Sequence, residues 1–401
     1  MAPDYTPVKL DKPIRIGMIG LSGNALVSWG SGAHLPYLER SQAYTITALL
    51  NTSIESARAA RDAFKLPANT KLYDSPEELA KDADVDLVVC NVRVDRHWPL
   101  TRPSIEAGKA VFVEWPLGKN LQEARAFVDL AQRKGIRTIA GNQARVDPLA
   151  HTVREAIEKR LGGLISVHVR ANTLFHGYTD TIDYFLDRSV GGNFLTVHLA
   201  HLFDYLTSVL GPLEKGFDAR FKIGHPEVDL VDDEQRTIRR ATKDVPDQVV
   251  LQGQLADHAG ALLSLQLRGG ANFKGDADGL VWTLYGPKGE LKITHSSSNL
   301  NVGTEFPTTK ARLHRFDTDT VEDLAVDQEQ PAFFRQLPLP ARNIARLYEA
   351  FARDDGSSGV DFADALRLHE ALEDICQAAE KACKTSPRQV FSRVGETQGQ
   401  I

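Results

Sequence analysis

The chain has 401 residues, 42% of them apolar and 25% charged, with a formal net charge of −6. That length suits two domains, and an acidic balance without a basic block or stripe argues against direct nucleic-acid or anionic-membrane binding. Three cysteines, far apart or at helical spacing, predict neither a structural disulfide nor a zinc site, and the lack of a signal-peptide core or long apolar run predicts a soluble, cytoplasmic protein.

Residues 14–19 are short, apolar and β-branched, which reads as a buried parallel strand. Gly20-Leu21-Ser22 follows, and an apolar run at 34–38 then has helical character. Strand, small-residue turn and helix is the geometry that brings backbone N–H groups to a pyrophosphate. The glycine pattern is incomplete, because Ser22 stands where G-x-G-x-x-G has its second glycine. Taken alone, the segment also suits the first turn of some other α/β domain.

Its context decides. A strand at 45–50 leads to a helix at 54–64, and Ser75 N-caps a short helix from Pro76. A strand at 86–90, a helix at 98–107 stopping near Gly108, and a strand at 110–113 follow. An amphipathic helix at 121–134 ends at Gly135, and a strand covers 137–140. This alternation predicts a Rossmann-type α/β domain with a doubly wound parallel sheet over residues 1–145, binding NAD or NADP.

From 146 to 401 the pattern changes to α+β. Helices are expected at 148–161 and 194–210. Strands are expected at 164–171, 216–223, 249–256, 261–268, 280–285 and 291–294, the last two joined through Pro287-Lys288-Gly289. Short turns between consecutive strands predict an open, mostly antiparallel sheet. Residues 299–335 read as a long irregular connection, 341–351 and 362–384 as helices, and the tails 1–12 and 386–401 as loose.

The carboxyl ends of parallel strands are where such sheets bind ligands. After the fourth predicted strand stand Val92, Arg93 and His97, after the fifth Glu114 and Trp115, and after the sixth Gln143 and Arg145. One glutamate beyond a strand is ordinarily a solvated loop residue, but polar groups on three neighbouring strands point to a site. Trp29 is expected in the same cleft. At the end of the second strand, Asn51 replaces the acid that would accept a ribose 2′-hydroxyl, and Arg58 lies a turn away, so NADP should be tolerated. On the helix at 194–210, His198 and His201 are neighbours. Asp204 lies about 120° around from His198 and no fourth ligand is evident, so no metal is expected. His198 reads as a core or helix-surface residue, and His201 could face the cofactor as an acid/base.

These landmarks resemble the glucose–fructose oxidoreductase and inositol dehydrogenase (Gfo/Idh/MocA) family. The resemblance is carried by Gly20-Leu21-Ser22, Glu114-Trp115-Pro116, Gln143-Ala144-Arg145-Val146-Asp147-Pro148, Gly191-Gly192-Asn193 through His201, the turn Tyr285 to Leu291, and Asn343 to Tyr348. It implies a cofactor set of Gly20, Leu21, Ser22, Trp29, Asn51, Asn91, Val92, Arg93, His97, Glu114, Trp115 and Gln143. It also implies substrate contacts from Arg145, Trp115 and Tyr184, and a homodimer through the second-domain sheet.

The departures are as telling. The family's catalytic lysine is replaced by Trp115 and its aspartate by Val197, leaving only His201 of that set. Both changes resemble the branch holding the galactose-regulon repressor of budding yeasts, as do Trp29…His34-Leu35-Pro36 and Val245-Pro246-Asp247…Gln252-Gly253. Two readings follow. One is an NAD(P)-dependent oxidoreductase acting on a small polar, sugar-like or secondary-metabolite substrate with His201 as acid/base. The other is a cofactor-sensing regulator that binds a partner protein, for which a nuclear location would also suit.

Overall fold

The computed structural model describes residues 6–22, 28–173, 178–232, 234, 236–305, 308–326, 330–354 and 360–385. The first sheet is wholly parallel, with strands β1 (Lys9–Ile19), β2 (Gln42–Leu50), β3 (Lys71–Tyr73), β4 (Leu87–Cys90), β5 (Ala110–Val113) and β6 (Thr138–Ala140) in the order β3-β2-β1-β4-β5-β6. Helices cover both faces, so strand residues such as Met18, Val88 and Phe112 are fully buried, which is why these strands are apolar throughout. The order reverses between β1 and β4, and a crevice at their carboxyl ends is where this topology takes ligands.

β1 starts at Lys9, inside the tail expected to be loose, and a register shift against β2 separates Lys9 from Ile14. Its polar first half is held by backbone pairing and needs no apolar side chains. β3 has three residues at the sheet edge, too few for a periodic signal. The caps fall where the sequence puts them: Ser75 Oγ accepts from the Glu78 N–H, and Gly135 ends its helix at φ +62°.

The second half supplies β7 (Ser166–Asn172), β8 (Tyr178–Thr179), β9 (Asp218–Lys222), β10 (Glu227–Val231), β11 (Thr237–Thr242), β12 (Gln248–Gln254), β13 (Leu262–Arg268), β14 (Leu280–Gly286), β15 (Gly289–His295), β16 (Thr309–Arg315) and β17 (Thr320–Leu324). Eight of them form a mostly antiparallel sheet, β17-β16-β15-β14-β7-β13-β12-β9, in which only β7 and β13 run parallel. A small sheet, β11-β10-β8, lies apart.

The connection expected to be irregular at 299–335 instead holds the β16–β17 hairpin and a short helix, Ala332–Arg335. Its alternation is present, with Thr309, Ala311 and Leu313 buried and Lys310 and Arg312 exposed, but the buried residues are small or few. Its turn has no glycine or proline, and Asp319 takes the positive φ of +53°. β10 and β11 also went unnoticed in the sequence, because their side chains are mostly polar and exposed.

The inner face of the large sheet packs on the helices at 148–161 and 194–210, with Trp282 edge-on to Tyr205 at 6.2 Å. Its outer face carries the exposed Val250, Leu262, Tyr285 and Val321. Helices Leu339–Arg353 and Phe362–Thr385 return to the first sheet. Ala140 donates its N–H to the Val360 carbonyl at 2.8 Å, Tyr44 Oη donates to the Tyr348 carbonyl at 2.7 Å, and Phe362 packs on Phe127 at 5.5 Å. The buried apolar residues of both halves therefore form one continuous core.

Candidate functional site at the strand ends

Gly20 ends β1 at φ +87°, and a Cβ there would lie 2.4 Å from Val92 Cγ1 and 3.2 Å from the Asn91 carbonyl oxygen. Only glycine allows β1 and β4 to meet this closely. Leu21 is fully buried, and its carbonyl accepts from Asn51 Nδ2 at 2.9 Å. Residues 23–27, most of the turn compared with the fingerprint, lie outside the described residues. Trp29 precedes the helix at 30–38.

Several buried polar atoms around this crevice have no hydrogen-bond partner among the described residues: both amide atoms of Asn91, Trp29 Nε1, Asn142 Oδ1, Gln143 Oε1 and His201 Nδ1. Unsatisfied buried polar atoms are costly, and a cluster of them at strand ends is what a polar ligand would satisfy. Asn91, Trp29 and Gln143 were expected to touch the cofactor, and the residues present fit a dinucleotide there.

Other expected contacts are already committed within the protein. His97 is buried between two carbonyls, with Nε2 2.9 Å from the Val92 oxygen and Nδ1 2.9 Å from the Pro116 oxygen. A neutral ring donates to one of these carbonyls, and in either tautomer it sits between the loops after β4 and β5. Burial holds its pKa below the usual histidine value. Arg93 grips Asp95 through two nitrogens, at 2.6 and 2.8 Å, and lies over the Tyr184 ring at 5.4 Å. Arg93 and Tyr184 are thus neighbours at the mouth of the crevice.

Glu114, after β5, joins a buried chain that the sequence did not reveal. Its Oε1 lies 2.8 Å from His34 Nε2, and His34 Nδ1 lies 2.9 Å from Tyr348 Oη. Trp115 fills the family's lysine position but spends its single donor, since Nε1–H donates to the Thr196 carbonyl at 2.7 Å. Its ring packs on His369 at 4.5 Å.

Arg145, expected beside substrate, is held by acids. Nε and Nη2 contact Asp204 Oδ1 at 2.8 and 2.7 Å, and Nη1 contacts Asp364 Oδ1 at 3.0 Å. Asp204 is fully buried and lies one turn beyond His201. Arg145 also lines a cavity of about 430 Å³ between the helices at 200–210 and 362–385. It anchors elements and is not left free to bind substrate; the signal was Asp204, read in the sequence only against a metal site. Among the described residues no three potential metal ligands converge.

His201 is nearly buried, and that burial, with His198 nearby, pushes its pKa down to about 3. His198, half-buried on the same helix, is pushed to about 4 by burial and packs between Phe185 and Phe194, at 6.0 and 5.7 Å. His201 is therefore a neutral imidazole at physiological pH, and its burial disfavours the protonated form.

With this geometry in hand, comparison with known proteins is direct. Residues 14–142 match the oxidoreductase family with an NAD-binding Rossmann fold, and residues 148–295 match the C-terminal domain of Gal80p. A dehydrogenase of Aspergillus oryzae, aclE, is 31% identical over 250 residues, covering 61% of this chain and 68% of that protein. The chain belongs to this oxidoreductase family. The galactose/lactose metabolism regulatory protein GAL80 of Saccharomyces cerevisiae is 29% identical over 293 residues, 70% of this chain. The matches span 66% of that protein and 65% of its Kluyveromyces lactis counterpart. Among solved structures, a super-repressor mutant of Gal80p from S. cerevisiae superposes with a TM-score of 0.81 at 24% identity, covering 92% of this chain and 97% of that one. Levoglucosan dehydrogenase in complex with NADH and levoglucosan gives 0.73 at 17% identity, over 92% and 98%. Both establish a shared fold.

Proposed function

We propose that this protein binds NAD(H) at the crevice between β1 and β4 and is an oxidoreductase acting on a small polar, sugar-like or secondary-metabolite substrate. The observation that carries the reading is the set of unsatisfied buried polar atoms on Asn91, Trp29, Gln143 and His201 around one crevice. The cofactor-binding lobe is built on residues 1–145 and the substrate lobe on residues 146–401. Gly20, Leu21 and Ser22 would face the pyrophosphate, Asn51 the adenosine ribose, and Val92, Glu114, Trp115 and Gln143 the nicotinamide half, with Arg93, held by Asp95, beside them. The nicotinamide, when bound, donates or accepts hydride.

In this chain His201 would hold or release the substrate proton: its Nδ1 has no partner among the described residues, and the burial that lowers its pKa means that it would hold a proton only briefly and give it up readily. Trp115 contributes a packed wall that excludes water, since its N–H is already engaged. NAD(H) titration followed by turnover assays on polyols, keto sugars and imines tests the reading. His201→Ala should lower kcat by about 10²–10⁴-fold and leave cofactor affinity nearly unchanged.

The regulator is the second reading. It is favoured by the same two commitments, the indole tied to Thr196 and the Arg145 guanidinium held by Asp204 and Asp364. It predicts cofactor binding without turnover and cofactor-dependent capture of a protein partner. In either case Val250, Leu262, Tyr285 and Val321 on the outer sheet face would join two copies in a homodimer. Light scattering on the protein and on a Leu262→Glu, Tyr285→Glu variant tests this.

A further inference from the structure

His34 and Tyr348, the further members of the buried chain that ends at Glu114, have no part in the reading above. His34 is fully buried, its ring tilted against Phe112 at 5.1 Å and edge-on to Tyr348 at 5.7 Å. Its two nitrogens meet chemically different neighbours. A carboxylate oxygen only accepts, so the bond to Glu114 Oε1 uses an Nε2–H donor. In a neutral ring Nδ1 then keeps a lone pair, and the Tyr348 hydroxyl, 2.9 Å away, donates to it. One tautomer satisfies all three groups.

Tyr348 is itself held. It stacks on Tyr37 at 5.4 Å, and its carbonyl accepts from Tyr44 Oη. Glu114 is left with one engaged oxygen and one spare. Oε2 lies against Gly141, where an added Cβ would be 2.4 Å from it, and it makes no hydrogen bond among the described residues. Glu114 stands after β5, in the half of the sheet that serves the nicotinamide-side mononucleotide.

We propose that His34 and Tyr348 are positioning residues: Tyr348 fixes the His34 ring, and His34 holds the Glu114 carboxylate so that its free oxygen meets a hydroxyl or amide donor on the nicotinamide half of the cofactor. The helix Leu339–Arg353, distant in sequence, thereby becomes part of the cofactor site. This rests on the NAD(H) reading of the crevice.

Calorimetric titration of the full chain with NADH and, separately, with ADP tests it in the wild type and in His34→Leu, His34→Gln and Tyr348→Phe. ADP lacks the nicotinamide and its ribose and shares the rest of the site. His34→Leu should weaken NADH about tenfold, the scale of a lost hydrogen bond to a charged group, and change ADP less than about twofold. His34→Gln, which keeps an N–H toward Glu114, should recover most of the loss. Tyr348→Phe, a mild change that keeps the ring, should weaken NADH by a few-fold and spare ADP. Unchanged NADH binding, an equal loss for both ligands, or a Gln variant no better than the Leu variant would overturn the proposal while leaving the cofactor reading intact. A wild-type chain that binds neither ligand overturns both.

Discussion

The indole of Trp115 donates to the main-chain carbonyl of Thr196, 81 residues away, at 2.7 Å. Where relatives carry a lysine able to act on substrate, this chain carries a strut between the loop after β5 and the helix that bears His201. Trp115→Phe keeps the ring and removes the donor. It should lower unfolding free energy by about 1–3 kcal/mol, the cost of leaving a buried acceptor unpaired, measured by urea denaturation. Trp115→Lys should not raise turnover, because Val197 leaves the new ammonium without its carboxylate partner.

Arg145 and Asp204 form a second tie. Asp204 is fully buried, and burial already raises its pKa against the lowering influence of Arg145. Arg145→Ala should destabilise by about 3 kcal/mol near neutrality, since it strands a buried carboxylate. The folded-state pKa of Asp204 then rises further above its unfolded value. A raised carboxyl penalises folding above that unfolded value, so the deficit should be smaller at pH 5 than at pH 8. Equal deficits at the two pH values would show that Asp204 does not titrate in the variant.

Burial lowers the pKa of several histidines, which bears on the acid limb of stability, and three of them carry the largest shifts. Burial pushes His198 to about 4 and His201 and His369 to about 3, all below an ordinary 6.5. The unfolded chain therefore binds protons there that the folded chain refuses. Their contribution is complete above about pH 6.5 and is lost as pH falls toward 4 and then 3. Denaturation at several pH values should show a steep loss in this window, and His369→Phe should flatten the slope by about one proton.

Cofactor choice should be permissive at the 2′ position. Asn51, which turns its amide nitrogen to the Leu21 carbonyl, stands in place of a carboxylate that would repel a 2′-phosphate, while Arg58 is exposed on the following helix. NADH and NADPH dissociation constants should lie within about a hundredfold of each other. A larger preference for NADH would mean that another group reads this position.

The Rossmann sheet was legible because its strands are buried on both faces and its helices carry ordinary caps, Ser75 and Gly135 among them. The candidate site was legible as a set of strand ends, and Asn91, Glu114 and Gln143 follow the neighbouring strands β4, β5 and β6. Which side chains were spoken for was not legible. His97, Arg93 and Arg145 look available in sequence, and only the folded chain supplies the Pro116 carbonyl, Asp95 and Asp204 that occupy them. His34 was read only as part of a motif, and its role was hidden for a related reason: its partners lie 80 and 314 residues away. Strands β16 and β17 were hidden by their charged outer faces and by a turn in which Asp319 does what glycine usually does.

The return of the last two helices to the first sheet bears on how the molecule is made. The Ala140 N–H waits for the Val360 carbonyl, and Phe127 for Phe362. During synthesis the first 145 residues leave the ribosome long before these partners exist, so the earliest part of the chain is the last to be completed. A chain ended at residue 338 should expose Tyr37, Tyr44 and Phe127, bind a hydrophobic dye, and depend on chaperones that the full-length chain needs only briefly.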